Sequence, residues 1–133
     1  MSEPLVFIDI SEILEGKIED LKAAIEDLAA VVEENEPRTI AYSFYFDQAA
    51  TRMTVVQVHP DSASMQFHMT AAADIFPRFV GLVRMLTMDV YGTSSDDLLE
   101  LMRSKAQMLG ASAVRVHHLQ AGFARWESLS AGS

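Results

Sequence analysis

Two periods of hydrophobic and polar positions run through the chain. From Leu5 to Leu14 the pattern alternates: Val6, Ile8 and Ile10 share one parity with Glu12, and Leu5, Phe7, Asp9, Ser11 and Ile13 share the other, which predicts a strand. Gly16 breaks that run. Ile18, Leu21, Ile25, Leu28 and Val32 then recur at helical spacing, with Glu19, Lys22, Glu26 and Glu33 turned outward, and Pro37 limits the helix because the residue before a proline avoids the α region. Period two returns over Arg38–Asp47 (Ile40, Tyr42, Phe44 and Phe46 on one side) and again over Thr51–His59, with Asp47-Gln48-Ala49-Ala50 short enough for a hairpin loop.

Asp61 or Ser62 can cap a second helix on which Met65, His68 or Met69, Ala72 and Phe76 share a face, and Pro77 ends or bends it. Leu82–Tyr91 reads as a fourth strand, with Leu86, Met88 and Val90 on one parity. Thr93-Ser94-Ser95 caps a third helix whose first turn holds Asp96 and Asp97 and whose buried side holds Leu98, Leu101, Met102 and Leu109, up to Gly110. Ala113–Leu119 predicts a last strand, resuming at Phe123–Trp126.

The order β-α-β-β-α-β followed by α-β is that of an α+β, ferredoxin-like antiparallel sheet with an extra C-terminal α-β. Residues 1–127 are expected to form a single domain and residues 128–133 a disordered tail. The strands are apolar on both parities, as with Phe44 beside Tyr45 and Val55 beside Val56. A sheet with helices on one face leaves its other face bare, so two sheets packed face to face across a two-fold axis, a homodimer, are expected.

Composition narrows the function classes. The 133 residues, half of them hydrophobic, suffice for one core without staples, and the absence of cysteine removes disulfides, thiolate catalysis and Cys-ligated metal sites. The net charge is −9, and residues 1–36 alone carry eleven acids against Lys17 and Lys22. That acidic face repels phosphate backbones and there is no basic stripe, so no nucleic-acid partner is expected. No apolar run approaches the roughly 20 residues that span a bilayer, and the start of the chain has no basic leader, so the expected location is cytoplasmic, with no membrane partner.

Glu36-Pro37 leading into the strand with Tyr42 and Phe44, the strand Thr54-Val55-Val56-Gln57-Val58-His59, Asp61 after it and His68 on the second helix resemble the antibiotic biosynthesis monooxygenase-like group of the dimeric α+β barrel superfamily. The resemblance covers roughly residues 5–92 and implies a dimeric α+β barrel with an apolar cavity between sheet and helices. The family's glycine after the proline is Arg38 here. Its heme-degrading members use an Asn, a Trp and a His in one pocket, whereas Asn35 ends a helix and Trp126 lies near the C-terminus, so heme degradation does not carry over.

His68 is the leading candidate base, since imidazole titrates near neutrality, with Tyr42 and His59 to orient a substrate. The plainer reading of His68 is a histidine at the core edge bonded to a backbone carbonyl. Tyr42, Phe44 and Tyr45 offer surfaces for an apolar aromatic small molecule or, more simply, fill a core. His59, His68 and Asp61 have no recognised metal-ligand spacing, and His117-His118, as strand neighbours, point to opposite faces. No glycine-rich phosphate loop, no nucleophile elbow, no inward pair of acids on neighbouring strands and no flavin or nucleotide signature is present, so no cofactor is expected. Two functions stay open: a cofactor-independent monooxygenase or isomerase acting on an aromatic or polyketide-like molecule, and a non-catalytic small-molecule-binding or homodimeric assembly domain.

Overall fold

A computed structural model describes residues 4–111 and 113–125. The first strand, β1 (Leu5–Ile13), is followed by helix α1 (Ile18–Asn35), strands β2 (Ala41–Phe46) and β3 (Arg52–His59), helix α2 (Ser62–Ala71), strand β4 (Val83–Tyr91), helix α3 (Asp96–Met108) and strand β5 (Val114–His117). They build one five-stranded sheet in the order β2-β3-β1-β4-β5. The first four strands are antiparallel, as a split βαβ plan requires, and β5 joins the β4 edge in parallel after crossing over through α3.

The alternation of β1 works as a sorting device. Leu5, Phe7, Asp9 and Ser11 all point to the helix-covered face and are at most 4% exposed, while Val6, Ile8 and Ile10 stay half-buried on the other. In α1 the buried stripe is Leu21, Ala24, Leu28 and Val32. In α2 it is Ser64, Met65, His68 and Met69. Full burial of a Phe7, Leu21 or Met65 side chain contributes about 2 kcal/mol apiece, which pins the helices to this one face.

Several predicted details change. The second helix stops at Ala71, and Phe76 reaches the core through a 3₁₀ turn, Phe76–Phe79, that opens on Pro77. Leu86 does not share a face with Met88 and Val90: opposite the step from Ile10 to Ser11 it is the extra residue of a β-bulge, so Val83 and Met85 before it, and Met88 and Val90 after it, all face inward. Leu101 is 39% exposed, and Lys105 takes a place on the buried stripe of α3 with Leu98, Met102 and Ala106. The last strand is only four residues long, residues 123–125 are not a strand, and Phe123 is exposed. Trp126 and the expected tail lie outside the described residues.

Loop chemistry follows the predicted punctuation. The Asp47 carboxylate closes the β2–β3 hairpin by accepting from Thr51 N, Thr51 Oγ1 and Arg52 N at 2.7, 2.7 and 3.0 Å. Asp61 caps α2 by accepting from Ser64 N, and Ser95 caps α3 by accepting from Leu98 N. Among the described residues no helix is long and apolar enough to cross a membrane.

Candidate functional site

Pro37 sets the first group of the site. Its ring forces Glu36 out of the helix, to φ −126° and ψ 72°, and the carboxylate swings inward until the residue is 4% exposed. There it meets His68, which α2 presents from its buried face. His68 Nδ1 lies 2.8 and 3.0 Å from the two Glu36 oxygens, and Thr39 Oγ1 donates to the same carboxylate at 3.2 Å. A carboxylate only accepts, so Nδ1 carries the hydrogen and Nε2 keeps its lone pair. Nε2 is buried and has no partner among the described residues. Burial pushes the imidazole below its ordinary range, with the Glu36 bond opposing, which favours the neutral ring with its lone pair at Nε2.

Around this ring stand Tyr42, Phe76 and His59, with centroids 5.0, 5.5 and 5.9 Å away. Tyr42 is half-buried, and burial together with the charges of Asp9 and Glu36 pushes its phenol well above its usual range. It is a proton donor at any physiological pH. His59 is different: Nε2 faces Gln57 Oε1 at 3.2 Å and Nδ1 faces Ser64 Oγ at 2.8 Å. The Gln57 oxygen can only accept, so Nε2 donates to it and Nδ1 accepts from the serine. Burial, with His68 and Lys105 nearby, drives His59 down to about 3. The three predicted site residues are therefore brought together, but only His68 has a free ring nitrogen. Asp61, grouped with the histidines by sequence, is turned to its cap and pairs with Arg38.

Two further groups complete the cluster. Asp9 projects from the inner parity of β1, and burial raises its carboxyl from 3.8 to about 6 against the pull of Lys105. Lys105 projects from the buried stripe of α3, and burial lowers its ammonium against the pull of Asp9 and Glu36. Its Nζ sits 4.2 Å from the centroid of Phe76. A cation–π contact is worth about 2 kcal/mol at best, less than the several kcal/mol that taking an ion out of water costs, so burial wins. Asp9, Ser11, Tyr42 and Lys105 line a cavity of about 30 Å³ roofed by apolar side chains such as Met53 and Phe79. Ser11 Oγ is buried there without a partner among the described residues. The apolar cavity expected from sequence is thus small, with room for one or two waters. A separate cleft of about 290 Å³ lies between Glu36, Pro37 and Arg38 on one side and Ala63, Ser64 and Phe67 on the other.

Asp9, Glu36 and Lys105 were not singled out as site residues from sequence. The available signals were an acid on the inward parity of β1, an acid held out of its helix by a proline, and a lysine seven residues after Leu98 on an apolar stripe.

Comparison of the folded chain with solved structures places it among known folds. MupZ from Pseudomonas fluorescens superposes with a TM-score of 0.72 at 18% identity, over 95% of this chain and 98% of that one. A candidate antibiotic biosynthesis monooxygenase from Bacteroides thetaiotaomicron gives 0.60 at 16% identity, over 65% and 85%. The chain has the antibiotic biosynthesis monooxygenase-like fold. SnoaB, a cofactor-independent oxygenase from Streptomyces nogalater, shares that fold with a TM-score of 0.60 at 8% identity, over 71% of this chain and 96% of that one. The MupZ match is long enough to take in α3 and β5. No protein-family model matches the chain, and no curated protein matches it significantly.

Proposed function

We propose that this antibiotic biosynthesis monooxygenase-like domain is a cofactor-independent enzyme, a monooxygenase or isomerase, acting on an aromatic or polyketide-like small molecule with His68 as its base. The observation that carries this reading is the unpartnered, buried Nε2 of His68 behind a Glu36–Nδ1 hydrogen bond. A carboxylate that orients one ring nitrogen and stabilises the imidazolium leaves the other poised to take a proton, the arrangement general-base catalysis needs. Tyr42, protonated and beside the ring, is the donor for the oxyanion that proton removal creates. An anion made this way can be reprotonated at another carbon or can react with dioxygen. SnoaB, with the same fold, is described as a cofactor-independent oxygenase.

Buried ionisable groups cost stability, so a cluster of five (Asp9, Glu36, His59, His68 and Lys105) on one inner face is a costly way to fill a core and a direct way to do acid–base chemistry. A ring-sized substrate has to displace the apolar roof, and the Met53 and Met85 thioethers beside the cavity are adaptable enough to repack.

The test is thermal unfolding of wild type and His68→Ala with quinols, phenols and polyketide mimics. A ligand at about 100 times its Kd stabilises by roughly 2.7 kcal/mol. Stabilisation of wild type that His68→Ala abolishes is expected. If no class of ligand stabilises the wild type, the catalytic reading fails and an assembly domain takes its place.

The outer sheet face supports a homodimer. Val6, Ile8, Ile10, Val56 and Val58 lie there half-buried, with Tyr45 and Tyr91 exposed, and a second copy of the same face would cover them. Sedimentation at micromolar concentration should give twice the chain mass, and a folded monomer there would refute it.

A further inference from the structure

The chain has three lysines. Lys17 and Lys22 are exposed, at the start of α1 and within its first turns. Lys105 is 9% exposed, makes no ion pair among the described residues, and shares its cavity with Asp9, Ser11 and Tyr42. An amine taken out of water without a bonded counter-charge is harder to keep protonated, even with Asp9 and Glu36 pulling the other way, and a neutral amine is a nucleophile. We propose that Lys105 is an imine-forming amine that condenses with the carbonyl group of a small aldehyde or ketone.

The surrounding groups fit each half of that reaction. The Nζ lone pair attacks the carbonyl carbon, a C–N bond forms, and the carbonyl oxygen takes a proton while the nitrogen gives one up, leaving a carbinolamine. The C–O bond then breaks, the oxygen departs as water with a second proton, and a C=N bond remains. One carbonyl and one amine become one imine and one water, with no oxidant or reductant. Asp9 and Tyr42 line the same cavity and supply or accept these protons, and the unpartnered hydroxyl of Ser11 is a donor for the oxygen. Burial holds the Asp9 carboxyl near 6, where it exchanges protons at neutral pH, and lowers the ammonium of Lys105. The cavity of about 30 Å³ calls for the smallest carbonyl compounds as first probes.

This extends the acid–base reading to a second group of the same cluster, but it does not need His68 to be a base. The folded protein is treated with acetaldehyde and cyanoborohydride at pH 6.5, and ethylation is mapped by peptide mass. Lys105 should be alkylated several-fold faster than the exposed Lys17 and Lys22. The preference should vanish in denaturant. Lys105→Arg should lose the fast site, and His68→Ala should keep it. Lys105 labelled no faster than the two exposed lysines overturns the proposal, and does so whatever the ligand screen finds. Fast labelling with no ligand response in the screen removes the His68 reading and leaves this one standing.

Discussion

Asp9 and Asp89 lie on adjacent strands of one sheet, a single residue apart in register, since Asp9 faces Met88 and Ile8 faces Asp89. They point to opposite faces, and their chemistry diverges. Asp89, on the outer face, is held by Arg115 through Nε and Nη2 at 2.8 and 2.9 Å and by His117 Nε2 at 2.8 Å, and these partners keep its carboxyl below the usual range. The His117 ring stacks on Tyr91 at 4.5 Å, so both partners of Asp89 are fixed by the β4–β5 pairing. Asp9, on the inner face, has no ion pair among the described residues and is pushed up to about 6 by burial. One aspartate is saturated with donors and structural. The other is short of them and can exchange a proton near neutrality. Surroundings alone separate the two.

The largest effect separating the two faces is acid sensitivity. His59 has a folded pKa of about 3 against 6.5, so the unfolded chain takes up the proton first and the native state loses stability as pH falls from 6.5 towards 3. Over that window His59 alone accounts for up to about 5 kcal/mol. His59→Gln should flatten the fall, measured by urea unfolding at pH 7 and pH 4.5, and an unchanged slope would mean that the inner face does not govern acid unfolding. Asp9 acts in the opposite direction: its folded pKa lies above 3.8, so ionising it costs stability as pH rises from 3.8 to about 6. Asp9→Asn should therefore stabilise the protein at pH 7.5 by up to about 3 kcal/mol and leave no difference below pH 3.8. Asp89→Asn should have the opposite sign and a smaller size, a loss of about 1 kcal/mol that shrinks at high salt, because its partner Arg115 is well exposed. If the two substitutions change stability in the same direction at pH 7.5 in parallel denaturant titrations, the contrast drawn from solvation is wrong.

Much of the fold was legible. The period-two runs and helical stripes located the five strands and three helices, and the order of elements implied the split βαβ sheet. What the pattern missed has specific causes. The bulge at Leu86 shifts parity by one, and an alternation rule assumes an unbroken pleat. The short β5 is set by how far α3 lets the chain run beside β4. Leu101 and Lys105 exchange their expected roles because a hydrophobicity pattern assigns lysine to solvent, whereas the rotation of α3 on the core decides which side faces in. For the site, His68, Tyr42 and His59 were reachable as a buried-face histidine, an inward phenol and a strand-end imidazole. Which of their nitrogens was free was not, because Gln57 and Ser64 meet His59 only once β3 and α2 are folded together.

The sequence by itself determined the local terms: which segments form strands and helices, the caps at Asp61 and Ser95, the break at Pro37, and the inward parity that carries Asp9 and Ser11. Only the tertiary structure decided that positions 9, 42 and 105 line one small cavity and that Glu36 and His68 pair beside Tyr42. Periodicity says which face of its own element a residue occupies. It does not say which faces meet, and it is the meeting of faces that removes water and shifts the acidities of Asp9, His68 and Lys105 from their ordinary values.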